Sequence, residues 1–103
     1  MYLTMNRFKV KPEATEAFEA LWMQRDSHLK SVPGFLSFHL MRGPKAPDHV
    51  VYASHTAWEN EAAFRDWTTS EAFRVAHKDA GGSRDLYLDP PALEIFETVQ
   101  ALR

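Results

Sequence analysis

Residues 2–10, Tyr-Leu-Thr-Met-Asn-Arg-Phe-Lys-Val, alternate side to side in the way a β-strand does. Pro12 stops that strand and suits the first turn of a following helix. From 13 to 30, Ala17, Phe18, Leu21, Trp22 and Leu29 form an apolar stripe at helical spacing with charges opposite, so a helix is expected there. Val32-Pro33-Gly34 breaks the pattern, and a second strand follows over 35–42. Gly43 to Pro47 reads as a turn and 49–58 as a third strand. Residues 59–67 return to helical spacing, with Ala62, Ala63, Phe64 and Trp67 on the apolar face. Residues 70–79 continue that helical region after a Thr-Thr-Ser break. A Gly-Gly-Ser loop over 80–90 ends in Asp89-Pro90-Pro91, and 92–102 reads as a last strand.

The order β-α-β-β-α-β is the split βαβ arrangement of a ferredoxin-like α+β fold: a four-stranded antiparallel sheet with both helices on one face. The strands are apolar on both sides. Leu3 and Met5 oppose Phe8 and Val10; Leu36, Phe38 and Leu40 oppose Phe35 and Met41; Leu93, Ile95 and Val99 oppose Phe96. One chain has helices for one face only, so a homodimer joined through the other sheet face, a dimeric α+β barrel, is expected.

Composition narrows the chemistry. At 103 residues the chain suits one domain with one core, and 45% hydrophobic content excludes disorder. Aromatic residues make up 13%, which suits a pocket for something flat and apolar. The net charge of -2 and the lack of a basic run argue against nucleic acid or a membrane surface. With no cysteine there are no disulfides, thiolate metal sites or cysteine nucleophiles. The first residues resemble neither a signal peptide nor a membrane span, and a cytoplasmic protein is expected.

Three residues stand out. Phe73, Ala76 and His77 share a face at i, i+3, i+4 spacing, which aims an imidazole at the side to be buried, next to Gly81-Gly82. Trp67 lies ten residues upstream. Asn6 shares its strand face with Thr4, Phe8 and Val10, where an unpartnered buried carboxamide costs roughly 1–3 kcal/mol. Each has an ordinary structural explanation alone: a satisfied core histidine, a core tryptophan, a carboxamide bonded to nearby backbone. Together they could line one pocket from different sides. His28, His39, His49 and His55 show no metal-binding spacing, and there is no nucleophile elbow or phosphate loop.

Asn6-Arg7, Pro33-Gly34-Phe35, Phe64-Arg-Asp-Trp67 and above all Ser70-Glu-Ala-Phe-Arg-Val-Ala-His77-Lys resemble the IsdG-type haem-degrading monooxygenases of the antibiotic biosynthesis monooxygenase superfamily. The resemblance covers nearly the whole chain; the loop from Gly81 to Pro90 departs from the family's pattern. It implies a single ferredoxin-like domain over 1–103 and haem bound as substrate and cofactor together. It implies His77 as the iron ligand, Trp67 as the bulk that presses the porphyrin out of plane, and Asn6 as the distal hydrogen-bond donor. Trp22, Phe64 and Phe73 would complete the haem contacts. An external, unidentified electron donor would drive ring opening to a linear tetrapyrrole with release of iron, a role in iron acquisition. Two alternatives stay open: a cofactor-free monooxygenase of a small phenol or quinol, and a non-catalytic haem-binding dimer.

Overall fold

The computed structural model describes residues 1–24, 29–70, 73 and 86–102. Strand β1 (Tyr2–Val10) leads through a single 3-10 turn, Pro12–Ala14, into helix α1 (Thr15–Gln24). Proline suits this position because its fixed φ is already helical and its missing N–H would have no partner in a first turn. After a second 3-10 turn at Leu29–Ser31 come β2 (Phe35–Lys45), β3 (Val50–Trp58), helix α2 (Glu61–Thr68) and β4 (Ala92–Glu97). The sheet order is β2-β3-β1-β4. The pairs β1–β3, β1–β4 and β2–β3 are antiparallel. This is the ferredoxin-like arrangement expected from the element order, with β3 inserted between the two strands that α1 connects.

Burial shows which sheet face the helices cover. On β1, Tyr2, Thr4, Phe8 and Val10 are buried, and on β3 Val50, Tyr52, Ser54, Thr56 and Trp58. The register sets these side by side: Tyr2 opposite Trp58, Thr4 opposite Thr56, Asn6 opposite Ser54, Phe8 opposite Tyr52. Two apolar clusters result. Beneath α2, Trp58 packs with Tyr2, Leu29, Ala63 and Trp67. Beneath α1, Phe18 packs with Phe8, Val10, Ala14, Val50 and Tyr52. Phe18 meets the Tyr52 ring at 4.9 Å and the Phe8 ring at 5.2 Å. Helix α2 is started by Asn60, whose side-chain oxygen accepts from the Ala63 N–H at 2.9 Å.

Several boundaries differ from the alternation-based expectation. Strand β2 shifts register between Phe35 and Ser37. The extra residue returns Phe35 to the side of Phe38, so both pack on the Trp58 cluster, while Leu36 is exposed. Strict alternation had set Phe35 against Phe38. β2 also runs on to Lys45 through a second irregularity that accommodates Pro44, and the turn tightens to Ala46–His49, where the Ala46 N–H donates to the His49 carbonyl at 2.8 Å. The last strand stops at Glu97, and Val99 and Leu102 are 97% and 87% exposed rather than on a sheet face. The helix expected over 13–30 is α1 flanked by 3-10 turns, with residues 25–28 outside the described set. The helical piece over 70–79 lies outside it too, apart from Ser70 and Phe73. Within the expected loop 80–90, Leu86–Leu88 prolongs the β4 side of β1. There the Lys11 N–H donates to the Leu86 carbonyl and the Leu88 N–H to the Lys9 carbonyl, both at 2.9 Å.

The break at Pro33-Gly34 has a tertiary cause. Gly34 has φ +84, and its carbonyl accepts from the Glu59 N–H at 2.8 Å, which ties the start of β2 to the approach of α2. A Cβ at this position would overlap that of Ala63. Gly34→Ala combines a left-handed backbone with overpacking, so it should lower unfolding free energy by about 2–4 kcal/mol. Urea denaturation of the variant, with an unchanged slope and a lower midpoint, checks this.

Candidate functional site between the helices and the sheet

The two clusters leave a band between them on the helix-facing side of the sheet. One row across the strands there is Leu40, Ser54, Asn6 and Leu93; the next is Phe38, Thr56, Thr4 and Ile95. The centre of the band is polar. Thr4, Ser54 and Thr56 are buried, and the Trp58 indole N–H donates to Thr4 Oγ1 at 3.1 Å. No buried side-chain nitrogen or oxygen among the described residues lacks a partner. Asn6 is half-buried on this face, and its carboxamide forms no side-chain hydrogen bond among the described residues.

Beside this band, between α1 and strands β2 and β3, lies a cavity of about 300 Å³. Its apolar wall includes Trp22, Phe38 and Leu40, with the Trp22 and Phe38 rings stacked at 5.8 Å and 18°. Its polar end is made by Glu19, Arg42 and Tyr52. The Tyr52 hydroxyl donates to Glu19 Oε2, and Arg42 Nε lies 3.8 Å from the same oxygen. Burial, then the hydrogen bond to Glu19, push the Tyr52 phenol up to about 12. At the β2–β3 turn, away from the cavity, the hydrogen bond from His49 holds the Asp48 carboxyl below its ordinary value.

The expected site residues separate into groups. Asn6 and Trp22 face the band and the cavity. Trp67 is buried in the α2 cluster, 6.3 Å from the Trp58 ring and 5.4 Å from that of Phe73. Phe64 packs on Tyr2 and Trp58, both at 5.9 Å. Trp67 therefore connects to Asn6 through Trp58 and Thr4. His77, the expected iron ligand, lies outside the described residues, as does His28. The described histidines are elsewhere: His39 and His55 are cross-strand partners on the opposite sheet face, and His49 is bonded to Asp48. Among the described residues no cluster of three His, Cys, Asp or Glu side chains could hold a metal ion, and no helix is long and apolar enough to cross a membrane.

Glu19, Arg42 and Tyr52 were not anticipated from the sequence. A signal existed for two of them. Glu19 precedes Trp22 by three residues and so shares its helix face, and Arg42 continues the Phe38, Leu40 alternation. Both read as solvated charges, because nothing in one strand or helix shows that a tyrosine on the neighbouring strand meets them.

Known proteins share this fold. The chain is 33% identical to the heme-degrading monooxygenase of Bacillus thuringiensis over 61 residues, 59% of this chain and 57% of that relative. The matched stretch is thus little more than half of the curated relative. The heme-degrader MhuD from Mycobacterium tuberculosis, solved with two hemes bound in its active site, superposes with a TM-score of 0.76 at 26% identity over 100% of both chains. SnoaB, a cofactor-independent oxygenase from Streptomyces nogalater, shares the fold with a TM-score of 0.73 at 24% identity, over 98% of this chain and 95% of the other. The antibiotic biosynthesis monooxygenase family model matches residues 1–79, the stretch that holds β1 to β3, both helices, Asn6 and the whole cavity lining. The chain belongs to the antibiotic biosynthesis monooxygenase family.

Proposed function

We propose that this chain is a haem-degrading monooxygenase whose substrate lies between the helices and the sheet, across Asn6. The observation that carries this reading is Asn6 itself, a carboxamide with no side-chain partner among the described residues, flanked by two aromatic clusters. The names of the Bacillus and mycobacterial proteins support the choice of haem.

The residues present fit a porphyrin. Trp22 and Phe38 offer nearly parallel ring faces beside the band. Asn6 has Ser54 and Leu93 as its cross-strand neighbours on this face, with no carboxylate or imidazole between them. Its amide N–H donates a hydrogen bond without readily giving up a proton, which favours oxidation of the ring over proton-driven cleavage chemistry. Haem, reduced by an external donor, supplies the oxygen activation and is itself the ring that opens, yielding iron and a linear tetrapyrrole. A porphyrin lying over the strip would itself exclude water from Asn6, which would strengthen that interaction. His77 is proposed as the iron ligand on the strength of its position in the sequence.

A second reading is favoured by the cavity. About 300 Å³ is at the small end for ligand pockets and suits one or two fused rings, with Glu19 available to accept from a hydroxyl. In that case a phenol or quinol would be oxidised without a cofactor. Titration with hemin separates the readings. A Soret shift, followed by bleaching and iron release when a reductant is added in air, is the expected outcome. Absence of any shift would leave the phenol reading, and a shifted band stable to reductant would mean sequestration.

Two substitutions distinguish roles. Asn6→Ala should retain hemin affinity but lose about 10²–10³-fold in turnover, the usual loss for one preorganised donor. Trp67→Ala should lower stability by about 3–5 kcal/mol because the indole is core. If Trp67 also distorts the porphyrin, the folded, haem-loaded fraction should turn over more slowly and show a flatter ring by resonance Raman. Unchanged values would confine Trp67 to packing.

The outward sheet face presents Leu3, Met5, Met41 and Phe96, with Met41 42% and Phe96 47% exposed. We infer that a second copy covers it, the expected homodimer. Sedimentation at micromolar concentration should give twice the 11.8 kDa chain mass, and a monomer would refute the pairing.

A further inference from the structure

We propose that Arg42 anchors a carboxylate of the ligand, with Glu19 and Tyr52 as positioning residues that hold its guanidinium at the cavity rim. On the haem reading, on which this inference rests, that carboxylate is a porphyrin propionate.

The argument begins with what is already satisfied. The Tyr52 ring is buried 1% exposed in the α1 cluster, so its hydroxyl is a fixed point. It donates to Glu19 Oε2 and thereby fixes the carboxylate on α1. Arg42 stands opposite Tyr52 across the β2–β3 ladder and turns its Nε edge towards that oxygen at 3.8 Å, an ion pair too long for a hydrogen bond. A guanidinium has five N–H donors on two usable edges. The remaining edge has no carboxylate partner among the described residues, and the side chain is 66% exposed. Glu19 thus orients Arg42 without consuming its donors.

Three other cations are engaged elsewhere. Arg7 pairs with Glu94 at 3.0 Å on the outward face, Lys9 with Asp89 at 3.7 Å, and Arg65 with Glu61 on the far side of α2. Among the described residues that line the cavity, Arg42 is the cation. A flat apolar wall ending in a guanidinium calls for a flat apolar ligand carrying an anion, and carboxylate matches the fork in shape.

The spacing suits a porphyrin. Arg42 is two strands and two residues from Asn6, because Leu40, Ser54 and Asn6 form one row and Arg42, Tyr52 and Phe8 the neighbouring row on the same face. From sheet dimensions the two backbones are about 12 Å apart. With the reach of the arginine side chain, one porphyrin can lie with its centre at Asn6 and its acidic edge at Arg42, and Trp22, 5.8 Å from Phe8 in the Arg42 row, lies beside that path.

Iron-free protoporphyrin IX and its dimethyl ester test this without involving the iron ligand. Their affinities are read from quenching of tryptophan fluorescence. The unsubstituted protein should prefer the diacid by about two- to fivefold at low salt, the range for an exposed charge pair, with the preference fading as salt is added. Arg42→Ala should bind both porphyrins equally, with an unchanged melting temperature. Glu19→Gln should still accept from Tyr52 but no longer hold the guanidinium by charge, so its preference for the diacid should shrink towards that of Arg42→Ala. A preference that survives Arg42→Ala, is missing from the unsubstituted protein while both porphyrins bind, or rises in Glu19→Gln overturns the assignment and leaves the haem reading standing. Failure of both porphyrins and of hemin to bind overturns the two together.

Discussion

The Trp58 indole is the contact around which the described structure is organised. It is 1% exposed, and its N–H donates to Thr4 Oγ1 at 3.1 Å, which joins β3 to β1 at a buried point between them. Phe35 from β2 meets it edge-on at 6.1 Å, and Phe64 and Trp67 from α2 at 5.9 and 6.3 Å. One side chain therefore brings three strands and a helix together. An indole on this scale buries a large apolar area while its single donor is satisfied, so the hydrogen bond selects register where apolar packing alone is permissive. Because a one-residue slip would turn Trp58 to the outward face, the same contact determines that Asn6 faces the helices.

Among the described residues, two short helices leave part of the four-stranded sheet uncovered. α2 settles on Trp58 and α1 on Phe18, and the rows between them carry Thr4, Asn6, Ser54 and Thr56 instead of large apolar groups. Small hydroxyl side chains keep this strip low and polar, with Thr4 Oγ1 accepting from Trp58. The larger side chains on either side, Trp22 and Phe38 among them, become walls. The strip is thus low where bulk is missing, and Asn6 is its longer polar side chain.

The polar end of the cavity shows how a buried group can organise exposed ones. Tyr52 is held by packing, Glu19 by Tyr52, and Arg42 by Glu19. Taken alone, the Arg42–Glu19 pair would be a surface ion pair of small energetic consequence. Attached to a core tyrosine, it has a defined direction, and direction is what ligand recognition requires. The raised Tyr52 phenol reports the same arrangement, since a hydroxyl that is desolvated and already donating to a carboxylate resists ionisation.

Local periodicity was enough to determine the order of elements, the bounds of β1, and the helix-facing side of Asn6, because alternation and helical spacing are properties of neighbouring residues. It was enough as well for the break at Pro33-Gly34 and for Trp22 on the inner side of α1. Only tertiary structure decided that Phe35 and Phe38 share a face, since a bulge exists only where a partner strand shifts against it. The stop of β4 at Glu97 likewise depends on its partner: Glu97 pairs with Tyr2, the first residue of β1, and the Thr98 N–H meets the Met1 carbonyl. The Glu19–Tyr52–Arg42 assembly joins residues from a helix and two strands, separated by up to 33 positions, and no local pattern records such a contact. Pattern along a chain reports which way a side chain faces; what it faces depends on the elements that pack opposite.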